Sequence, residues 1–136
     1  MKYELTLSEK QCKILCQALD LFSRIHALQV EEVAAILRWH YAIKGTNGQT
    51  VPIENLNRFQ DVLLDCKESF LNCHRNGNLG MGPQLCEEAR AAYDIQQVVR
   101  HELWKNSPEE RQFKYSVDAS EPMKYSKYPL PEMKKI

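Results

Sequence analysis

One apolar period constrains this chain more than anything else in it. Leu85, Ala89, Ala92, Ile95, Val99 and Leu103 recur at steps of four, three, three, four and four. That spacing lays a continuous apolar line along one face of a helix. It predicts a helix from Gly82-Pro83-Gln84-Leu85 to Leu103-Trp104-Lys105, with Pro83 in the first turn, where no partner for its missing N–H is needed.

A second line of different chemistry runs beside the first: Tyr93, Gln97, Arg100 and Trp104, flanked by Gln96 and His101. Two readings of it stand side by side. A phenol, an amide, a guanidinium and an indole on one helical line suit a planar anionic ligand, by ring stacking, edge pairing and two-pronged contact with phosphate. The same residue types also finish cores and dominate protein interfaces. Arg24, with Gln29, joins the candidate ligand-binding set from the end of an earlier helix.

Composition narrows the classes. The chain has 136 residues, which predicts one domain with its own core. Eighteen basic side chains balance eighteen acidic ones, so duplex nucleic acid is a poor partner for the surface as a whole. Zero net charge is compatible with a homo-oligomer, a dimer or a tetramer. No apolar run is long enough to span a bilayer, and the N-terminus does not read as a secretory signal, so the expectation is no membrane and a cytoplasmic location. Cys12, Cys16, Cys66, Cys73 and Cys86 form no C-x-x-C pair; free buried thiols are expected rather than disulfides or a metal site.

Taken in order, Tyr3, Leu5 and Leu7 alternate with polar residues and predict a short strand. Ser8-Glu9-Lys10-Gln11 fits a capping box for a helix reaching His26 or Ala27. A second helical pattern, Val30, Val33, Leu37 and Tyr41, follows after a phase shift near Leu28, and whether residues 8–43 form one helix or two is open at this point. Trp39 and Tyr41 cluster with Arg38 and His40 and are the candidate interface.

Lys44 to Thr50 reads as a loop around Asn47-Gly48, and Pro52 opens a third helix with Leu56, Phe59, Leu63, Cys66, Phe70 and Cys73 on its core side. Asp61, Asp65, Lys67 and Glu68 fall on its solvated face. Gly77, Gly80 and Gly82 mark a connector to the central helix. Phe113, Tyr115 and Val117 alternate and predict a second strand, the natural partner of the first. The expected fold is therefore mainly α: a four-helix core with a small two-stranded β ribbon formed by the N-terminal and C-terminal segments. Residues 1–117 make one helical domain, and 118–136 an extended tail that Tyr125, Tyr128 and Leu130 can fasten to the body.

No H-E-x-x-H or G-x-S-x-G stands around His26, His40, His74 or His101, and no phosphate loop occurs, so neither an enzyme nor a cofactor is expected. Leu5-Thr6-Leu7-Ser8 with Ala18 to Ile25, and Ala92-Tyr93-Asp94-Ile95-Gln96-Gln97 through Trp104, resemble a group of small helical phage and prophage proteins. The resemblance implies a phage accessory protein in a bacterial cytoplasm, of the kind that evades host immunity. On that analogy the expected function is non-catalytic sequestration of a small anionic ligand, a host immune cyclic nucleotide. The alternatives are a module that inhibits a host defence protein and a nucleic-acid accessory factor.

Overall fold

The computed structural model describes residues 1–39 and 42–136, the side chain of Trp39 excepted. Four helices carry the described chain: α1 (Glu9–His26), α2 (Glu32–Trp39), α3 (Ile53–Phe70) and α4 (Glu87–Lys105). Two short 3-10 turns follow, Glu109–Arg111 and Val117–Ala119. The chain divides into two compact units, one of Met1–Ser23 with Cys86–Ile136 and one of Arg24–Leu85.

In the first unit α1 begins as its sequence dictates. The Gln11 N–H donates to Ser8 Oγ at 3.2 Å, and the Ser8 N–H donates to Gln11 Oε1 at 2.8 Å. This reciprocal pair satisfies two backbone donors that a helix start leaves open. Cys12 on α1 is buried, as are Ala89, Ala92 and Val99 on α4. The alanines are small enough to bring neighbouring segments close to the α4 backbone.

The start of α4 corrects the sequence expectation. The helix begins at Glu87 with Cys86 in extended conformation, while Pro83 belongs to a turn closed by the Leu85 N–H on the Gly82 carbonyl at 3.2 Å. The Gly82 backbone lies close against the Leu79 carbonyl, where an added Cβ would sit 2.9 Å from that oxygen. The glycine therefore fixes a tight turn at the point where the apolar period had implied helix.

The expected β ribbon is not formed. Among the described residues the one strand-like pairing is a bridge between Lys44 and Thr50. Tyr3 and Leu5 are 86% and 77% exposed, and Phe113 and Tyr115 are 70% and 104% exposed. Alternation makes a strand only where a partner and a burying surface exist, and two strands alone are marginal. Neither segment has found them; the C-terminal one folds into turns instead.

In the second unit the break after α1 is sharp, so residues 8–39 hold two helices. Leu28 takes φ +68°, the Gln29 N–H reaches back to the Arg24 carbonyl at 2.8 Å, and the Leu28 N–H reaches the Ile25 carbonyl at 3.0 Å. These are the two hydrogen bonds of a Schellman stop, with leucine where glycine is usual. From there α2 packs on α3. Their core contains Ala34, Ala35, Leu56 and, against expectation, Lys67, which is fully buried. Its ammonium lies 3.2 Å from both carboxylate oxygens of Glu31. That pairing draws the side chain inward from the face where charge alone had placed it in solvent. The α3 register turns accordingly, leaving Phe59, Val62 and Phe70 exposed.

Candidate functional site

Helix α4 carries three parallel lines rather than two. Ala89, Ala92, Gln96 and Val99 are buried on the core line. Glu87, Asp94 and His101, seven residues apart, form a second line with Gln97 beside it. Tyr93, Arg100 and Trp104 lie between the two by helical periodicity.

The second line holds the C-terminal tail by its backbone. Asp94, 2% exposed, accepts hydrogen bonds from the Tyr125 N–H at 2.8 Å, the Ser126 N–H at 3.0 Å and the Ser126 hydroxyl at 2.7 Å. The Gln97 amide donates to the Met123 carbonyl at 2.8 Å and accepts from the Met123 N–H at 3.1 Å. Glu87 accepts the Lys127 N–H at 2.8 Å. His101 Nδ1 lies 2.9 Å from the Asp118 carbonyl, so that nitrogen carries the proton, and Nε2 is 3.6 Å from Glu121. Each group meets its partner in the arrangement that its chemistry requires: carboxylates accept backbone N–H, and the amide serves both a donor and an acceptor. The tail is thus a strap, fastened by hydrogen bonds at five of its residues, with Glu121 near His101 as a sixth contact.

Among the residues expected to bind ligand, Gln97 and His101 are engaged by this strap. Gln96 is buried; its carbonyl stands 4.0 Å from the Cys16 sulfur, and its side-chain oxygen is 3.5 Å from Arg100. Tyr93 meets Tyr125 edge-on at 5.5 Å between ring centroids, and the Arg100 guanidinium lies 5.7 Å from the Tyr93 ring centre. Trp104 stacks on His101 at 5.7 Å. Its indole N–H is buried and has no acceptor among the described residues. Arg100 makes no ion pair among the described residues. Arg24 belongs to the second unit, where it donates to Gln29 at 2.9 Å and pairs with Glu32 at 3.7 Å. Of the two interface candidates, Tyr41 and the side chain of Trp39 lie outside the described residues.

Sequence reasoning missed Asp94, Glu87 and Ser126. The seven-residue spacing of Glu87, Asp94 and His101 was the available signal. Ser126 had no local signal at all, since its partner is 32 residues away.

Other candidate chemistry resolves into ion pairs. Asp61 and Asp65, one turn apart on α3, face the Arg75 guanidinium, which lies 3.4 Å from Asp61 and also bonds Asp65. The described residues contain no cluster of three metal-binding side chains, and none of their helices is long and apolar enough to cross a membrane.

Burial pushes the Cys16 thiol up to about 11, with Cys12 adding to the rise and Arg100 opposing it. At pH 8 only about one Cys16 in a thousand is thiolate, the reactive form. Native protein treated with iodoacetamide at pH 8 is therefore expected to keep Cys16 unlabelled until denaturant is added. Rapid native labelling, read by mass spectrometry, would contradict the raised thiol of this half-buried cysteine.

No family model matches the chain, and neither a curated protein nor a solved structure matches it.

Proposed function

We propose that this chain is a non-catalytic binding protein that sequesters a small planar anion along α4, at the Arg100–Trp104 end of the stripe. One observation carries the reading. Among the described residues Arg100 has no carboxylate partner, and the buried Trp104 N–H one turn away has no acceptor. An unpaired buried donor costs about 1–3 kcal/mol, and native chains rarely leave one. An anion placed beside Arg100 would neutralise it and, with a shift of the side chains that cover the indole N–H, accept that bond as well; Tyr93 and Trp104, both partly exposed, offer aromatic rings beside it. The likeness to phage proteins gives the ligand its proposed class, a host immune cyclic nucleotide, and gives the chain a bacterial cytoplasm to work in.

The test is thermal shift against cyclic di- and trinucleotides, followed by heat release and analysis of the ligand. A ligand that binds the folded state raises the melting temperature, and intact ligand on release marks storage rather than turnover. Arg100→Ala and Trp104→Phe are each expected to weaken capture at least tenfold with helical content unchanged. Unfolding of Arg100→Ala would make the guanidinium structural. Wild-type affinity in Trp104→Phe would remove the indole N–H from the site.

A second reading, an inhibitor of a host protein, is favoured by the α3 surface. Phe59, Val62 and Phe70 are 39%, 55% and 78% exposed at steps of three and eight on one helix. Exposed apolar patches of this kind are protein-binding surfaces in many soluble proteins. Under this reading Phe70→Asp abolishes partner binding, while Arg100→Ala leaves it intact.

A further inference from the structure

The face of α4 that holds the strap is a binding surface whose occupant is known, because the chain itself supplies it. The strap runs antiparallel to the helix, from Asp118 at His101, through Met123 at Gln97 and Ser126 at Asp94, to Lys127 at Glu87. Side chains of α4 grip the backbone of the tail, and the partners stand 17 to 40 residues apart in sequence. Any second copy of the chain carries the same strap and the same face.

The connector between α4 and the strap is built differently. From Asn106 to Ser116 the hydrogen bonds among the described residues are all local. The Arg111 N–H donates to the Pro108 carbonyl, the Gln112 N–H to Glu109 and the Ser116 N–H to Phe113. The longest bond spans seven residues, from the Gln112 amide to the Lys105 carbonyl. Its apolar side chains are uncovered: Phe113 and Tyr115 are exposed, as is Val117 just beyond. They alternate, so extended backbone would set all three on one side. Straightened, residues 106–116 reach roughly 35 Å, enough to carry the strap beyond its own helix. A firmly held segment on a locally bonded connector is the arrangement from which identical chains exchange elements.

We infer that two copies of the chain exchange straps, each tail lying on the α4 of the other in a twofold dimer. The bonds to Glu87, Asp94, Gln97 and His101 are all kept, since the second copy presents the same groups in the same order. The exchange loses only the local bonds of the connector, on exposed backbone that water can satisfy. It gains cover for apolar surface. The two straightened connectors cross antiparallel at the twofold axis, and Phe113, Tyr115 and Val117 of one copy meet those of the other. The alternation that finds no partner within one chain is answered by its own copy. The inference concerns self-association and does not rest on a ligand at Arg100.

The test uses the full chain. Light scattering after size exclusion is expected to give twice the 15.9 kDa of one copy. Equal amounts of carbon-13-labelled and unlabelled protein, unfolded in urea and refolded together, then report whose strap lies where. Isotope-filtered contacts are expected between the Tyr125 ring of a labelled chain and the Tyr93 ring of an unlabelled one, a pair 5.5 Å apart between centroids. The double variant Phe113→Ser with Tyr115→Ser is expected to weaken dimerisation by roughly tenfold or more, through loss of the covered apolar area. Its strap should stay resistant to trypsin at Lys124 and Lys127, because a tail returned to its own helix keeps its bonds. A monomer at millimolar concentration overturns the inference. So does a dimer without the interchain tyrosine contact, or undiminished dimerisation of the double variant.

Discussion

Replacing Asp94 by alanine is expected to release the tail from α4. Three donors converge on this one buried carboxylate, the two successive backbone N–H groups of Tyr125 and Ser126 and the Ser126 hydroxyl. Hydrogen bonds to a charged acceptor contribute about 1.5–3 kcal/mol each, but a released tail regains water at every one. The net loss is therefore set by the docking of the strap, and about 3 kcal/mol is a reasonable size for it. That corresponds to roughly a hundredfold rise in the open population, which governs cleavage when opening and closing are fast. Limited trypsin digestion reads it directly, because Lys124 and Lys127 stand within the strapped segment. Cleavage at those two lysines should accelerate about a hundredfold in Asp94→Ala, while the helical signal falls little. Asp94→Asn, which keeps an acceptor oxygen, should lie between. Unchanged cleavage in a folded Asp94→Ala protein would mean that the strap is held by something else.

The second large effect belongs to the buried Lys67–Glu31 pair. Removing one partner of a buried ion pair leaves the other charge without compensation, at a cost of about 3–5 kcal/mol. Glu31 keeps 20% of its side chain in contact with water, so the lower end applies to Lys67→Met. In a unit this small a loss of about 3 kcal/mol lowers the melting temperature by more than about 10 °C. The double variant Lys67→Met with Glu31→Leu should recover most of that loss, since a well-packed apolar pair is often as stable as the ions it replaces. Thermal and urea unfolding of the two single variants and the double variant measure the coupling. If Lys67→Met alone melts like the parent, the ion pair contributes nothing and the burial of Lys67 is incidental.

What could be read from the sequence was local. The Ser8–Gln11 box lies within four residues and appeared as expected. The periodicity of residues 89–103 identified α4, although Pro83 drew its predicted start four residues too early, into a turn that Gly82 closes. The break near Leu28 was visible as a change of phase, but its geometry was not, because a leucine at φ +68° is held there by two hydrogen bonds rather than by its own preference. Partners far apart in sequence were illegible. Lys67 read as a surface charge because Glu31 lies 36 residues away. Gln97 and His101 read as ligand groups because nothing near them in sequence showed that Met123 and Asp118 would occupy them. The two alternating segments read as strands for the opposite reason: their local pattern was strong, and no partner answered it.

The division of the chain into units has a consequence for its synthesis. The second unit is continuous, Arg24–Leu85, whereas the first is assembled from two stretches that flank it. During translation α1 leaves the ribosome well before α4 and the strap, so it must wait, amphipathic and without its eventual neighbours, while the intervening 62 residues are made. The inserted unit can complete its own contacts in that interval. Closure of the first then joins residues from both sides of it, the kind of non-local pairing that folds slowly. A pause in translation after Leu85 would lengthen the exposure of α1 without touching any bond in the finished molecule.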